Sequence, residues 1–332
     1  MLQNSKIYAS LKSIGAYAPK RVLSNKDLEK MVDTTDDWIT KRTGIKERRI
    51  ADINEQTSDL GVKASLLAIK RAGLAAKDID AVICATLTPD YLCMPATACI
   101  IASKLGIKNV LAFDVSAACS GFVYIMYLAK SLVESGLHKN ILIVGAEKLS
   151  GVVDYTDRGT CILFGDGGGA AIVGTTTKKE ESIVDIQISA DGDYAELLMT
   201  PRARVTHPDD DRTKEYLQMA GNEVFKIAVK TLTNDVVEIL EKNKISANSV
   251  DHFIPHQANF RIIEAVREKL NFPVEKTVLT VAKYGNTSAA SIPMAMNEAY
   301  EDGKIKNGDL ILFDTFGGGF TWGSALAYFG GK

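Results

Sequence analysis

Cys119, His256 and Asn286 are the side chains of this 332-residue chain whose types and settings could act on a carbonyl carbon. A cysteine attacks as its thiolate, a histidine moves or donates a proton, and an asparagine amide donates hydrogen bonds to a developing oxyanion. Cys119 lies between an apolar run at 110–115 and a helical pattern, among Ser116, Ala117, Ala118, Ser120 and Gly121. That order reads as strand, small-residue turn and helix, with room for a substrate at the sulfur. At a helix N-terminus, unpaired N–H groups and the helix dipole favour the thiolate. Blander readings stand beside these: a free cysteine is often a small buried hydrophobe, and a lone histidine is often a satisfied core residue.

The elements that must position these groups recur in two copies. In the first, a Thr57 or Ser58 cap starts a helix that runs to Gly73, and Asp78-Ile79-Asp80 introduces the strand AVICAT. A helix near 97–105 follows, then the run 110–115 as a strand covered on both faces. Next come the helix of Phe122, Ile125, Met126, Ala129 and Val133, the strand ILIVGA and the segment ILFGDGGGAAIVG. After residue 221 the order returns: a long amphipathic helix, HFIPH, the helix ANFRIIEAVREKL, a strand TVLTVA, the turn GNTS, a helix, LILFDTF and FGGGFTWGSALAYF. Asp80 and Asp251 are 171 residues apart, and Cys119 and Asn286 are 167 apart, each close to half the chain. The chain therefore reads as a duplicated α/β protein. Residues 1–175 carry the nucleophile and residues 176–332 carry the His/Asn pair, with corresponding turns facing each other. A polar stretch at about 191–221 reads as a loop covering the site.

Composition excludes several classes. With 39 basic and 41 acidic residues the net charge is −2, which gives no bulk attraction to nucleic acid. The five cysteines show no CxxC spacing, so neither a disulfide framework nor a zinc ribbon is expected, and reduced thiols in a cytoplasm are. The longest uncharged run, 315–331, is 17 residues with six glycines, below the roughly 20 apolar residues of a membrane span. His252 and His256 have the spacing of a metal pair, but Pro255 forbids the helix interior that would use it; no metal is expected. GDGGGA and FGGGF are not phosphate loops; sheet packing explains the first equally well, and N–H groups near Gly318 could hold an oxyanion. Trp38 lies four residues before Arg42 in a basic stretch, and Arg158 is a further planar cation, a set suited to an adenine nucleotide tail. Arg261 and Arg267 could face an acidic partner or only solvent.

The segments DVSAACSGF, TDRGTCILFGDGGGA, MAGNEVFK, PHQANFR, YGNTSAASIP and FGGGFTWGSALAYF together resemble the beta-ketoacyl-acyl-carrier-protein synthase III family, over about residues 7–329. The resemblance implies a thiolase-like fold, with duplicated βα repeats in a five-layered α-β-α-β-α arrangement, usually homodimeric. It implies decarboxylative Claisen condensation of an acyl-CoA starter, commonly acetyl-CoA, with malonyl-acyl-carrier-protein through an acyl-Cys119 intermediate, initiating type II fatty acid synthesis without a resident cofactor. By the same resemblance His256 and Asn286 stabilise an enolate, and the Cys119 and Gly318 N–H groups form the oxyanion hole. Trp38, Arg42, Arg158 and Asn259 contact CoA, and Gln257, Ala258, Asn259, Phe260 and Arg261 meet the carrier protein. Met94 and Phe316 fall at the acyl pocket, Met94 where many members carry an aromatic residue facing the partner subunit. Other readings remain: a related condensing enzyme of secondary metabolism with a different starter, a Cys-His-Asn thioester hydrolase, or a non-catalytic binding module.

Overall fold

The computed structural model describes residues 6–200 and 216–331. Two sheets dominate it, built on one plan. The first runs in the order Tyr8–Tyr17, Gly167–Thr176, Asn140–Glu147, Ala81–Ala85, Leu111–Val115; its first two pairings are antiparallel and its last two parallel. The second runs Ile183–Ala190, Thr321–Tyr328, Leu310–Gly317, His252–Pro255, with two antiparallel pairings and then a parallel one.

Strand periodicity decides what each sheet packs against. Ala81, Ile83 and Ala85 face a central core, whereas Val82 and Cys84 face an outer one, so a strand covered on both sides reads as uninterrupted apolar sequence. The helices Gly121–Glu134 and Ser291–Glu301 fill the central layer, where Phe122, Met126, Ile292 and Met296 join Ile143 and Phe313 in one cluster. Thr57–Arg71 and Thr97–Lys104 cover the outside of the first sheet. Gly221–Asn243 and Phe260–Lys269 cover the outside of the second. The result is the expected order of five layers.

The backbone symmetry runs at 170 residues. The turns Ala118–Ser120 and Ser288–Ala290, the helix starts at Gly121 and Ser291, and the strand starts at Asn140 and Leu310 all obey it. Ala118 and Ser288 also share a left-handed conformation, with φ of 46° and 48°. Cys119 thus corresponds to Ala289, and the expected pairing of Cys119 with Asn286 is out by three positions.

Two local expectations are corrected and a third is sharpened. The helix from Thr57 is capped at Gln56, whose N–H donates to Asp59, while Thr57 and Ser58 bond to Thr88 and Asp90 instead. Leu111–Val115 packs on both faces, Phe113 and Val115 against the central core and Ala112 against the outer one, but as the outer strand of its sheet it leaves Leu111 exposed and the rest half-buried. TVLTVA is not a strand. One bridge joins Phe253 to Thr277, and the backbone then turns into the helix Val281–Tyr284, because the Gln257 side-chain carbonyl accepts the N–H groups of Thr280 and Val281. Of the stretch 191–221, residues 201–215 lie outside the described residues.

Candidate active site

The strand Leu111–Val115 delivers the chain into the tight turn Ala118–Ser120, and the next helix begins at Gly121, so Cys119 sits where strand becomes helix. Two contacts from the second sheet hold this turn. Thr315 Oγ1 donates to the Cys119 carbonyl at 2.9 Å, and a Cβ on Gly317 would lie 2.7 Å from the Cys119 nitrogen, an approach only glycine permits. The mirror contact joins the other halves: a Cβ on Gly145 would collide with the carbonyl of Ala289.

A cavity of about 530 Å³ opens on this turn and is lined by Cys119, His256, Asn286, Gly318, Phe316 and Asn259, among others. Cys119 is 7 % exposed. Burial pushes its thiol up to about 12, and the polar groups of Ser288, its own backbone and Asn286 act in the opposite direction. Desolvation of the sulfur thus works against the thiolate that the helix end favours.

His256 follows the strand His252–Pro255, and its backbone N–H donates to Asp314 at 2.7 Å. Its Nδ1 meets Ser291 Oγ at 2.5 Å, while Nε2 is buried without a partner. Burial lowers its pKa to about 3, so the imidazole is neutral. With the Ser291 hydroxyl donating to Nδ1, Nε2 keeps its hydrogen as a donor into the cavity. Asn286 is fixed on both sides: its N–H donates to Leu163 at 2.8 Å and its carbonyl accepts from Gly165 at 2.9 Å. Its Oδ1 accepts from the Ser288 N–H at 2.8 Å, which leaves the Nδ2 hydrogens for the cavity side.

The nucleotide candidates also converge. Trp38 lies on the helix Asp36–Thr43, with the Arg42 guanidinium 4.5 Å and the Arg158 guanidinium 5.4 Å from its ring centre. Asn259 Nδ2 donates to the Arg42 carbonyl at 3.3 Å, joining this patch to the cavity wall. Two arginines of the basic stretch are not available to a phosphate in the same way. Arg48 is buried, and donates to Leu23 O, Asn25 Oδ1 and Ile162 O. Arg49 pairs with Glu47.

Gln257 does not fit a carrier-protein contact. It is 1 % exposed, donates to the carbonyls of Pro255 and Val278, and accepts from Thr280 and Val281. Ala258 is half-buried on the cavity wall; Phe260 and Arg261 are exposed. Phe316 is buried against Phe320 and lines the cavity, whereas Met94 is 81 % exposed and outside its lining. Ser288, Ser291, Glu147 and Asp314 escaped sequence reasoning; the two carboxylates announce themselves only as lone charges closing or interrupting all-apolar strands. Among the described residues, no helix is long and apolar enough to cross a membrane and no cluster of three His, Cys, Asp or Glu could hold a metal ion.

Comparison with known proteins places this geometry. The family model described as 3-oxoacyl-[acyl-carrier-protein (ACP)] synthase III matches residues 113–192, and that of its C-terminal part matches residues 240–329. A beta-ketoacyl-[acyl-carrier-protein] synthase III of Sulfurovum is 62 % identical over 336 positions, covering 100 % of this chain and 99 % of that protein. One of Campylobacter jejuni is 64 % identical over 324 positions, covering 98 % of each. The crystal structure of 3-oxoacyl-[acyl-carrier-protein] synthase III from Aquifex aeolicus superposes with a TM-score of 0.91 at 47 % identity, covering 97 % of this chain and 100 % of that one. The fold is that of the thiolase-like condensing acyltransferases. The chain belongs to the beta-ketoacyl-[acyl-carrier-protein] synthase III family.

Proposed function

We propose that the protein condenses an acyl-CoA starter, acetyl-CoA first among them, with malonyl-acyl-carrier-protein, releasing carbon dioxide and forming the 3-oxoacyl-acyl-carrier-protein that begins fatty acid synthesis. The observation that carries this reading is one cavity holding a cysteine, an unpartnered histidine Nε2 and an asparagine amide. Cys119 takes the acyl group from CoA, with the oxyanion held by the Cys119 and Gly318 N–H groups. Malonyl thioester then loses carbon dioxide; its enolate oxygen is held by His256 Nε2–H and Asn286 Nδ2–H while the carbon attacks the acyl-cysteine. Trp38, Arg42 and Arg158 bind the nucleotide end of CoA, Asn259 the arm, and the exposed Phe260 and Arg261 meet the carrier protein. No resident cofactor is needed, because the thioester itself activates the carbon.

The reading extends to a cytoplasmic homodimer whose halves divide at 175/176. The bare outer edge of Leu111–Val115 and the exposed Tyr91, Leu92 and Met94 supply a surface for a second copy, with Met94 reaching the partner's acyl pocket and Phe316 lining its own. The test is steady-state turnover of acetyl-, butyryl- and branched acyl-CoA with malonyl-acyl-carrier-protein. Carbon dioxide release matched to 3-oxoacyl product is expected. Free CoA without carbon dioxide would point to a hydrolase, and preference for an uncommon starter would point to secondary metabolism.

A further inference from the structure

The neighbouring strands Ala81–Ala85 and Asn140–Glu147 stop pairing at Ala85 and Gly145, and the chain beyond Ala85 is held by a side chain instead. Glu147, which ends the second of these strands, is 0 % exposed. Its carboxylate accepts from the N–H groups of Leu87 and Thr88 at 3.2 Å, from Thr86 Oγ1 at 3.1 Å and from Thr88 Oγ1 at 2.5 Å. Among the described residues no cation pairs with it. Taking a carboxylate out of water is costly unless donors fill its oxygens, and every hydrogen bond it accepts here comes from residues 86–88. The same segment is fixed from its other side. Thr88 Oγ1 accepts from the Lys148 N–H at 2.9 Å, the Thr88 carbonyl accepts from Thr57 Oγ1 at 2.5 Å, and the Asp90 carboxylate accepts from the Ser58 N–H at 2.8 Å. Between these anchors Leu87 is half-buried and lines the cavity. It lies two residues past Ala85, which pairs with Val115, so it flanks the stretch Ser116–Ala118 that leads into Cys119 and lines the same cavity. There it packs against the cluster of Leu149 and Leu163.

We propose that Glu147 is a positioning residue for starter choice: by holding the backbone of residues 86–88 it fixes Leu87 as a wall of the acyl pocket. The proposal rests on the reading of Cys119 as the acylated nucleophile. An acyl chain on that sulfur meets the side chains around the Cys119 turn, and a leucine held rigidly there excludes chains that a displaced one admits. Glutamine does not reproduce the grip. The Leu87 N–H reaches both carboxylate oxygens at 3.2 Å, whereas an amide offers one acceptor and turns donors towards the other N–H groups.

The test is kcat/KM for acetyl-, butyryl- and hexanoyl-CoA with malonyl-acyl-carrier-protein. Leu87→Ala should raise the hexanoyl-to-acetyl ratio by about tenfold or more, the discrimination that one or two methylenes carry. Glu147→Gln should move the same ratio in the same direction, although Glu147 is no part of the cavity lining. The double variant should go no further than Leu87→Ala alone, because both changes act through one side chain. A merely structural role lowers kcat/KM for all three chains by a common factor. An unchanged ratio in folded Glu147→Gln or in Leu87→Ala, or effects that multiply in the double variant, would overturn the proposal. If Glu147→Gln fails to fold, Thr88→Val removes the 2.5 Å bond and leaves the carboxylate in place. The ratio should again rise, and a wild-type ratio there also overturns it. Absence of any acyl adduct on wild-type Cys119, read by mass spectrometry, would sink the functional reading instead. Adducts that form while the ratio stays fixed in these variants sink the positioning role alone.

Discussion

The turns at Ala118–Ser120 and Ser288–Ala290 have the same backbone and opposite employments. Each follows an apolar strand or its remnant, each enters the left-handed region at its first residue, and each launches a helix of the central layer. Each is also gripped by the other half, the first by Thr315 and Gly317, the second by Gly145. At the position of Cys119 the second turn has Ala289, and the polar group it offers the cavity is displaced to Asn286, whose Oδ1 the Ser288 N–H holds. The sheets diverge in parallel. The first keeps its fifth strand, whereas the second gives it up for a segment held by Gln257, the residue after His256. Duplication supplied two equivalent supports, and the site arose because they stopped being equivalent: one presents a nucleophile, the other donors.

The largest test of that division removes the nucleophile. Cys119→Ala should abolish labelled acetyl incorporation yet retain measurable carbon dioxide release from malonyl thioester, because decarboxylation needs only the donors. Loss of both with folding intact would merge the two roles. His256→Ala and Asn286→Ala should each lower carbon dioxide release by about 10²- to 10³-fold, the size of one lost oxyanion donor, while acetyl incorporation persists. Next come the two grips. Gly145→Ala should cost about 1–3 kcal/mol by overpacking in denaturant unfolding, and Thr315→Val about 1 kcal/mol for a lost hydrogen bond to Cys119. Equal costs would mean that the halves are held alike.

The smallest effect is on pH dependence. His256 is depressed to about 3, so its contribution to stability is complete above its unfolded pKa near 6.5 and is lost as pH falls below that. Glu147 and Asp235 are raised to about 7 and about 6, so theirs is complete below the unfolded carboxyl values and is lost as pH rises through those numbers. Between about pH 6.5 and 4.5 the two trends oppose each other. His256→Gln removes only the acid-sensitive term, so relative to wild type the variant's Tm should improve on acidification. A gap independent of pH would show that His256 titrates freely in the native state.

Local pattern made the Cys119 turn and its central helix legible, since strand, small residues and helix lie within one short stretch. The five layers followed from the repeat of that pattern. What escaped depends on contacts distant in sequence. An apolar run cannot say whether its strand is central or at an edge, so the half-exposure of Leu111–Val115 was not legible. TVLTVA has strand composition, but Gln257, some twenty residues earlier, captures its N–H groups. A helix N-terminus argues for a thiolate, yet the burial that opposes it comes from the whole fold. Gln257 and Arg48 look like surface groups in sequence because their side-chain types usually are, and each is buried where backbone acceptors or donors from separate segments surround it.

Arg48 has a consequence for how the chain reaches this state. Its guanidinium is held by neutral acceptors alone, and these come from segments 25, 23 and 114 residues away. Until the segment around Ile162 is in place, drawing this cation out of water has no adequate compensation. The cap formed by Leu23, Ile39, Ile45 and Leu163 therefore closes after both of its distant edges have met. A contact made that late is absent from the rate-limiting transition state, so replacing Arg48 should leave the folding rate nearly unchanged and shorten the lifetime of the native state.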